Sequence, residues 1–199
     1  VVDMACGEGY GCEVLARRAA TVVGVDANPE AYEHARLKYT RPGVRFVREL
    51  VERYAEPCDA IVFLQTIEHV PDPEAVLRHF RSLLRPGGAV YVSTPNVLTL
   101  APPGAERSDN PFHLREYRPD EFEALCRTVF DHVELYGVFH ARKLRLHELA
   151  LRLGWDAMHP RLGLTDAFYR RFVPAISARD FRIARAPLVE ALDLLAVLR

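Results

Sequence analysis

The sequence is poor in the residues that build cross-linked or zinc-dependent scaffolds. It has four cysteines, Cys6, Cys12, Cys58 and Cys126, and none of them stands in the C-x-x-C spacing of structural zinc sites. This number and spacing exclude a disulfide-rich scaffold. They indicate reduced, mostly buried thiols in a cytoplasmic protein.

Long hydrophobic runs and a large excess of charge are also missing. No apolar run reaches the roughly 18 residues that a spanning helix requires, so we expect no membrane segment. No signal peptide is visible. The formal net charge is −1, which excludes a polyelectrolyte binder. An apolar fraction of 49% in 199 residues still allows one domain with a sizeable core.

Short apolar segments alternate with helical patterns in the first half of the chain. We predict strands at 1–4, 20–26, 44–47, 60–65 and 89–93. We predict helices between them at 8–19, 29–39 and 73–84. This alternation indicates an α/β fold of parallel βαβ units, whose strands are apolar because both faces are covered. After a loop at 95–119, we expect a helix at 119–130 and strands at 131–139 and 192–199.

The segment 141–187 stands apart because it holds ten basic residues and four acidic ones. We expect it to form a helical insertion before the last strand. A solvated basic face is the simpler interpretation of its charge. The alternative is a lid over an anionic or polar polymer.

A glycine-rich turn follows the first strand, in the stretch Asp3-Met4-Ala5-Cys6-Gly7-Glu8-Gly9. A strand, a glycine turn and a helix form a nucleotide cradle, which on its own also fits a dinucleotide-binding dehydrogenase. However, Asp3 and Glu8 would repel a pyrophosphate, whereas an amino group would be attracted to the Asp3 carboxylate. Asp26, at the end of the second strand, suits the hydroxyls of a ribose.

With these residues, the stretches Leu64–Val70 and Leu83–Gly88 complete a pattern that resembles the class I S-adenosylmethionine-dependent methyltransferases. The resemblance covers nearly the whole chain. It implies a Rossmann-like, mostly parallel sheet of strand order 3-2-1-4-5-7-6, with the last strand antiparallel and the helical insertion 141–187 before it. It also implies that residues 1–199 are a single domain lacking its N-terminal segment, since Val1 opens inside an apolar run.

The resemblance implies S-adenosylmethionine as the cofactor, together with a set of binding residues. These are Asp3, Ala5, Cys6, Gly7, Gly9, Asp26, Ala27, Leu50 and Gln65. Two positions depart from the family pattern. Ala5 replaces the first glycine, and Arg48-Glu49-Leu50 stands where an acid or amide normally contacts adenine, which leaves backbone groups and Leu50 for that role.

A second group of polar residues follows the fourth and fifth strands. Glu68 and His69 should face the ligand edge of the sheet, and His113 lies on a loop over the same edge. The pattern resembles small-RNA ribose 2′-O-methyltransferases and ubiquinone-biosynthesis O-methyltransferases, which carry E-x-x-E-H there. That resemblance implies a divalent ion, such as Mg²⁺, held by Gln65, Glu68, His69 and His113. Gln65 replaces a glutamate in this set, but its carbonyl oxygen can also bind a metal.

Three interpretations of this group remain open. In the first, a metal is bound and the catalytic residues are Glu68, His69 and His113. In the second, His69 acts as a base without a metal. In the third, Glu68 and His69 only cap the next helix.

The acceptor is expected to be a carbohydrate hydroxyl. The stretches Ala5–Gly11, Val92–Asn96, Asn110–Glu116 and Gly137–His140 resemble the mycobacterial methyltransferases that act on 3-O-methylmannosides. Trp155, Phe168 and Tyr169 are expected either to line a sugar groove or to form core.

The alternatives are an O- or N-methyltransferase for a natural product or quinone precursor, and a non-catalytic cofactor-binding partner subunit. The partner we expect is a small-molecule or oligosaccharide acceptor, with a homodimer as a further expectation. We expect no nucleic-acid partner, because the chain lacks overall basic charge and an RNA module.

Overall fold

The computed structural model describes residues 1–102 and 104–199, and its centre is one eight-stranded sheet. The strands are β1 (Val2–Met4), β2 (Val22–Asp26), β3 (Val44–Arg48), β4 (Cys58–Leu64), β5 (Leu84–Pro95), β6 (Val133–His140), β7 (Phe181–Ala184) and β8 (Asp193–Leu198). The helices are α1 (Tyr10–Leu15), α2 (Pro29–Lys38), α3 (Pro73–Leu83), α4 (Val97–Leu100), α5 (Pro119–Arg127), α6 (Arg142–Arg152), α7 (Trp155–Arg161) and α8 (Thr165–Phe172).

The strand order is β3-β2-β1-β4-β5-β8-β6-β7. Strands β1 to β5 pair in parallel, and β8 is antiparallel to both β5 and β6. The predicted Rossmann-like order is therefore confirmed, with β8 as the predicted seventh strand. Strand β7 adds an antiparallel edge beyond β6.

Local signals explain where the helices begin. Asn28 caps α2 by accepting hydrogen bonds from the backbone N–H groups of Glu30 and Ala31, and Pro29 occupies the first helical position. Helix α1 is shorter than the predicted 8–19, because it starts only after Gly9, whose φ of 83° is left-handed. Beyond Leu15, the N–H groups of Arg17 and Arg18 bond to carbonyls three residues back, which ends the α-helix.

The core lies along the middle strands of the sheet and against α3. Met4, Ile61, Phe63 and Phe80 are fully buried, and the rings of Phe63 and Phe80 meet edge to face with centroids 5.1 Å apart. Burial of each such side chain contributes about 1.5–3 kcal/mol, so the strand ends that carry the site rest on a rigid base.

The predicted insertion 141–187 is helical only in its first part, α6 to α8. Its end contains β7, which we did not predict, because this edge strand has only four residues and its side chains are mostly exposed. Pairing with β6 makes it a strand. The short helix α4 likewise lies within the predicted loop 95–119.

Of the two alternatives for Trp155, Phe168 and Tyr169, the structure favours the core. These side chains pack together within the cap, which we define as α6 to α8. Trp155 and Phe168 meet with ring centroids 5.2 Å apart, and Phe168 contacts Tyr169 at 5.0 Å.

All four cysteines are free thiols, and only Cys6 is partly exposed. Among the described residues, 1–102 and 104–199, no helix has the length and apolarity needed to cross a bilayer.

Candidate active site

The polar residues singled out in the sequence lie along one edge of the sheet. Parallel strands present their carboxyl ends at the same edge, where ligands bind in open α/β sheets. Strand β8 runs antiparallel to β5, so its first residue, Asp193, lies at this edge and pairs with Pro95. The edge therefore collects residues from distant parts of the chain.

The turn after β1 is held open by left-handed backbone conformations. Ala5, Gly7 and Gly9 have φ values of 56°, 53° and 83°. A Cβ atom on Gly9 would lie 2.8 Å from the Cβ of Ala35 and from the ring of Phe46, so only glycine fits there. A Cβ on Gly7 would meet no atom within 4 Å, which marks an open cradle above the turn. Cys6 anchors the turn by donating its N–H to the carbonyl of Val25 at 3.0 Å.

Asp26 joins this turn to the end of β2. Its Oδ2 accepts the N–H of Gly7 at 2.7 Å, and its Oδ1 accepts the N–H of Asn28 at 2.9 Å. Ala27 beside it is exposed. Leu50 follows β3 with 48% of its surface exposed, and the neighbouring Glu49 donates its N–H to the Asp26 carbonyl at 3.1 Å. These residues line the part of the edge where the resemblance expects ribose and adenine.

Asp3 is buried beneath the glycine turn. Burial raises the pKa of its carboxyl to about 6, although a hydrogen bond from the Cys12 thiol at 3.4 Å opposes the shift and the nearby Asp26 adds to it. A Cβ on Gly11 would lie 2.6 Å from Asp3 Oδ2, so α1 approaches this carboxylate closely. A cation placed nearby would stabilise the ionised form of this carboxyl.

Glu68 is the centre of the second group. It lies on a single 3₁₀ turn (Ile67–His69) with only 1% of its surface exposed. Its Oε2 accepts the Thr94 hydroxyl at 3.1 Å, and its carbonyl accepts the N–H groups of Leu114 and Arg115. These bonds fix the loop carrying His113 against the 3₁₀ turn. Burial raises the pKa of the Glu68 carboxyl, with opposing contributions from the Thr94 bond and the two histidines.

His69 presents one ring nitrogen towards Glu68. Its Nδ1 donates to the carbonyl of Phe112 at 2.8 Å, which leaves Nε2 as the unprotonated nitrogen of the neutral ring. That Nε2 lies 3.9 Å from Glu68 Oε1. The ring of His69 also meets the ring of His113 with centroids 5.0 Å apart.

His113 is held by a buried carboxylate. Its Nδ1 donates to Glu116 Oε1 at 2.7 Å, and its Nε2 accepts from the Asn110 amide at 2.9 Å. Burial acts to raise the pKa of Glu116, but hydrogen bonds from Ser108 and His113 hold it below its usual value. The carboxylate–histidine pair resembles the outer-shell support of many metal-binding histidines.

Donor atoms of Glu68, His69 and His113 all lie within 4.8 Å of one another. The structure thus brings together three of the four predicted metal ligands. Gln65, at a left-handed φ of 52°, donates its amide to Ser93 Oγ at 3.1 Å. Burial raises the pKa of the Asp193 carboxyl, and the nearby Gln65 side chain acts against this shift.

Sequence reasoning missed Thr94, Glu116 and Asp193 as site residues. Glu116 stands three residues after His113, a spacing that could have indicated the pair. Asp193 gave no local signal, since it reaches Gln65 only through the pairing of β8 with β5.

The comparisons with known proteins agree with this geometry. Residues 1–149 match the model of a family described as a methyltransferase domain. The chain is also 34% identical to a probable S-adenosylmethionine-dependent methyltransferase of Mycolicibacterium smegmatis, over 99% of this chain and 80% of the relative.

The chain belongs to the S-adenosylmethionine-dependent methyltransferases.

Two further proteins are similar to this methyltransferase, one in part of its sequence and one in its fold. A ubiquinone biosynthesis O-methyltransferase of Xanthomonas axonopodis is 39% identical over 53% of this chain and 48% of its own. A solved structure from Thermotoga maritima, a possible histamine N-methyltransferase, has a TM-score of 0.66 at 16% identity, covering 99% of this chain and 79% of its own. The structural likeness shows the shared fold.

The cofactor-side residues of this methyltransferase fit S-adenosylmethionine. The open space above Gly7 leaves room for a ligand against the backbone. The buried Asp3 carboxyl suits an amino group, and Asp26 suits ribose hydroxyls, whereas no basic side chain stands in the turn to hold a phosphate. The departure at Ala5 is tolerated, since Ala5 adopts the left-handed conformation despite its Cβ.

Proposed function

We propose that this methyltransferase transfers the methyl group to a hydroxyl of a carbohydrate acceptor, with Glu68, His69 and His113 holding a divalent ion beside it. The supporting observation is the buried carboxylate flanked by two histidines, each with its Nδ1 bonded to an acceptor. This arrangement leaves the two Nε2 atoms as the available nitrogens, and Nε2 of His69 faces Glu68.

The residues have distinct roles in this proposal. S-adenosylmethionine supplies an electrophilic methyl group, and the chain must orient and deprotonate the attacking hydroxyl. Without a metal, Nε2 of His69 is the base, and the Phe112 carbonyl holds its ring in the correct tautomer. Glu68 then stabilises the protonated imidazole across 3.9 Å. Either way, Thr94 and the 113–116 loop hold these groups in position.

The donor set also fits a divalent ion. A carboxylate oxygen and two imidazole nitrogens are ligands for Mn²⁺, Zn²⁺ and related ions, and a carboxylate also suits Mg²⁺. A bound ion would lower the pKa of a coordinated hydroxyl. The Asn110 amide, 2.9 Å from Nε2 of His113, competes for that nitrogen and would have to turn away. Gln65 remains a proposed fourth ligand through its carbonyl oxygen.

Two observations support a carbohydrate over an apolar acceptor. The stretches that resemble the methylmannoside methyltransferases extend from the glycine turn to Gly137–His140. The cap is rich in arginine, and arginine forks suit polyols and their acidic derivatives. We propose a sugar with adjacent hydroxyls, of which the 3-O-methylmannosides are the model case.

A phenolic quinone precursor is the second candidate. The partial similarity to a ubiquinone biosynthesis O-methyltransferase supports it, and that similarity covers about half of the chain. A catechol offers the same adjacent hydroxyls as a sugar, so both acceptors would use the same three side chains.

The test is transfer of labelled methyl groups to 3-O-methylmannosides, a catechol and a ribose-ended oligonucleotide, each with added Mg²⁺ or Mn²⁺ and with chelator. We expect transfer to the mannoside and its loss with chelator. Transfer to the catechol alone would favour the second candidate, and transfer that chelator does not affect would leave His69 as the base. No transfer to a hydroxyl acceptor would overturn the proposal.

The metal can be tested without turnover. Mn²⁺ binding, followed by its electron paramagnetic resonance signal, should weaken at least ~10-fold when Glu68 or His113 is replaced by alanine. The matched control is His34→Ala, an exposed histidine on α2. Equal binding in all variants would exclude the proposed ion site.

A further inference from the structure

A cavity opens at the carboxyl end of β6, away from the glycine turn. Its volume is about 1080 Å³, and it lies between α6, the β6–β7 ends and the segment before β8. Phe139, Leu146, Leu149, Val189 and Leu192 form its apolar wall. None of the cofactor-side residues described above lines it.

The rest of the wall is strongly basic. Five cationic side chains line the cavity: Arg142, Lys143, Arg145, Arg152 and Arg182. Only Glu148 and Glu190 oppose them within it. Lys143 is paired with Asp180 at 3.1 Å, and Arg152 with Glu148 at 2.8 Å. Within residues 1–102 and 104–199, the remaining three guanidinium groups have no acidic partner, and Arg182 lies 4.6 Å over the ring of Phe139.

Two of the three unpaired arginines, Arg142 and Arg145, lie where a cation does not stabilise the fold. Arg142, Lys143 and Arg145 occupy the first turn of α6, which contains no acidic residue. Cations at a helix N-terminus oppose the helix dipole. Arg142 also has a left-handed φ of 49°, a strained conformation for a residue with a Cβ. Because neither feature helps folding, the arginines point to an anionic ligand in the cavity.

One residue of the cavity wall lies beside the active-site edge. Leu192 accepts the N–H of Asn96, which follows the strand that carries Thr94, and the next residue is Asp193. Three strand spacings separate the ends of β4 and β6, about 14 Å at the usual distance between neighbouring strands. A ligand reaching from Glu68 to Arg145 would be longer than a single sugar ring.

We propose that the cavity binds an acidic group, a carboxylate or phosphate, on the part of the acceptor remote from the methylated hydroxyl. This rests on the proposed function in naming the acceptor, but the binding step needs neither methyl transfer nor a metal. Arg142, Arg145 and Arg182 hold the acidic group, and the apolar wall packs against the adjoining chain. The substrate class is therefore an extended, acidic oligosaccharide.

Binding of defined probes tests this directly. Calorimetry at low salt and with chelator present would compare trigalacturonate with its neutral methyl ester, and mannose 6-phosphate with mannose. We expect an acidic probe to bind at least ~10-fold more tightly than its neutral counterpart, with an affinity that falls as salt is added. The two pairs distinguish a carboxylate from a phosphate. Equal affinities within both pairs would overturn the proposal, and this comparison needs no variant.

Variants then locate the binding. R142Q/R145Q should remove the preference for the acidic probe, whereas R161Q, an exposed arginine of the same cap that does not line the cavity, should retain it. S-adenosylmethionine affinity, measured on the same samples, reports an intact fold. An equal loss in R161Q, or a preference retained in R142Q/R145Q, would contradict the assigned cavity. Methyl transfer to neutral sugars is a separate readout, so its failure would bear only on the proposed function.

Discussion

The two halves of the active-site edge are built in different ways. On the cofactor side, residues 3–9 and 26–28 hold one another through backbone N–H groups, as in the bond from Gly7 to Asp26. On the acceptor side, Glu68, Thr94 and His113 come from three separate segments and meet through side chains. The cofactor side is thus a short motif with fixed backbone geometry, whereas the acceptor side depends on how loops pack over β4 and β5.

The largest effect should come from breaking the acceptor side alone. His69→Ala should lower kcat by ~10²–10⁴-fold, because the base or metal ligand is lost, while cofactor affinity stays unchanged. Single-turnover kinetics and calorimetry on the same protein would measure both quantities. His34→Ala is the control. A variant of His69 with near-normal turnover would remove it from the mechanism.

A change in the glycine turn should affect stability rather than chemistry. Gly9→Ala should lower the free energy of unfolding by about 2–4 kcal/mol, because its Cβ would overlap Ala35 and Phe46 at a left-handed φ.

Gly7→Ala, the matched control for Gly9→Ala, has the same kind of φ but open space around its Cβ, so it should cost only about 1 kcal/mol of stability. Its methyl group should instead weaken cofactor binding. Urea unfolding of both variants would show the difference, and equal destabilisation would contradict the described turn.

Asp3 should make stability depend on pH. The pKa of Asp3 in the folded chain, about 6, lies above its usual value of 3.8. The stability that Asp3 contributes in its protonated form is therefore complete below pH 3.8 and is lost as the pH rises through about 6. The loss should amount to roughly 2–3 kcal/mol by pH 7, from the size of that shift. Urea unfolding at pH 4 and pH 7 should show this drop in the native chain and not in Asp3→Asn. The same drop in both proteins would assign it to other groups.

A smaller effect than that of His69→Ala should come from Asp26→Ala, and it should fall on cofactor binding alone. Losing the ribose contact and the anchor of the Gly7 N–H should weaken S-adenosylmethionine binding by about 1–3 kcal/mol. Calorimetry measures the change, and Asp131→Ala, an exposed acidic residue before β6, is the control. An unchanged affinity would refute the ribose assignment and would weaken the contrast between the cofactor side and the acceptor side.

Sequence reasoning succeeded where contacts follow from neighbouring residues. The left-handed turn at Gly7 and Gly9, the Asn28 cap and the buried strands all depend on local backbone preferences and apolar runs. It was less accurate where pairing or packing decides. Strand β7 becomes a strand only beside β6, and packing within the cap decided between the two alternatives left open for Trp155, Phe168 and Tyr169.

By itself, the sequence determined the α/β class and the glycine turn after β1, because glycine turns, caps and apolar runs act over a few residues. The strand order was implied by the family resemblance and is confirmed by the structure. Only the tertiary structure decided that Glu116 holds His113, that Asp193 reaches Gln65, and that unpaired arginines share one cavity with Leu192. These contacts join segments far apart in the chain, and their geometry depends on side-chain packing that no local pattern encodes.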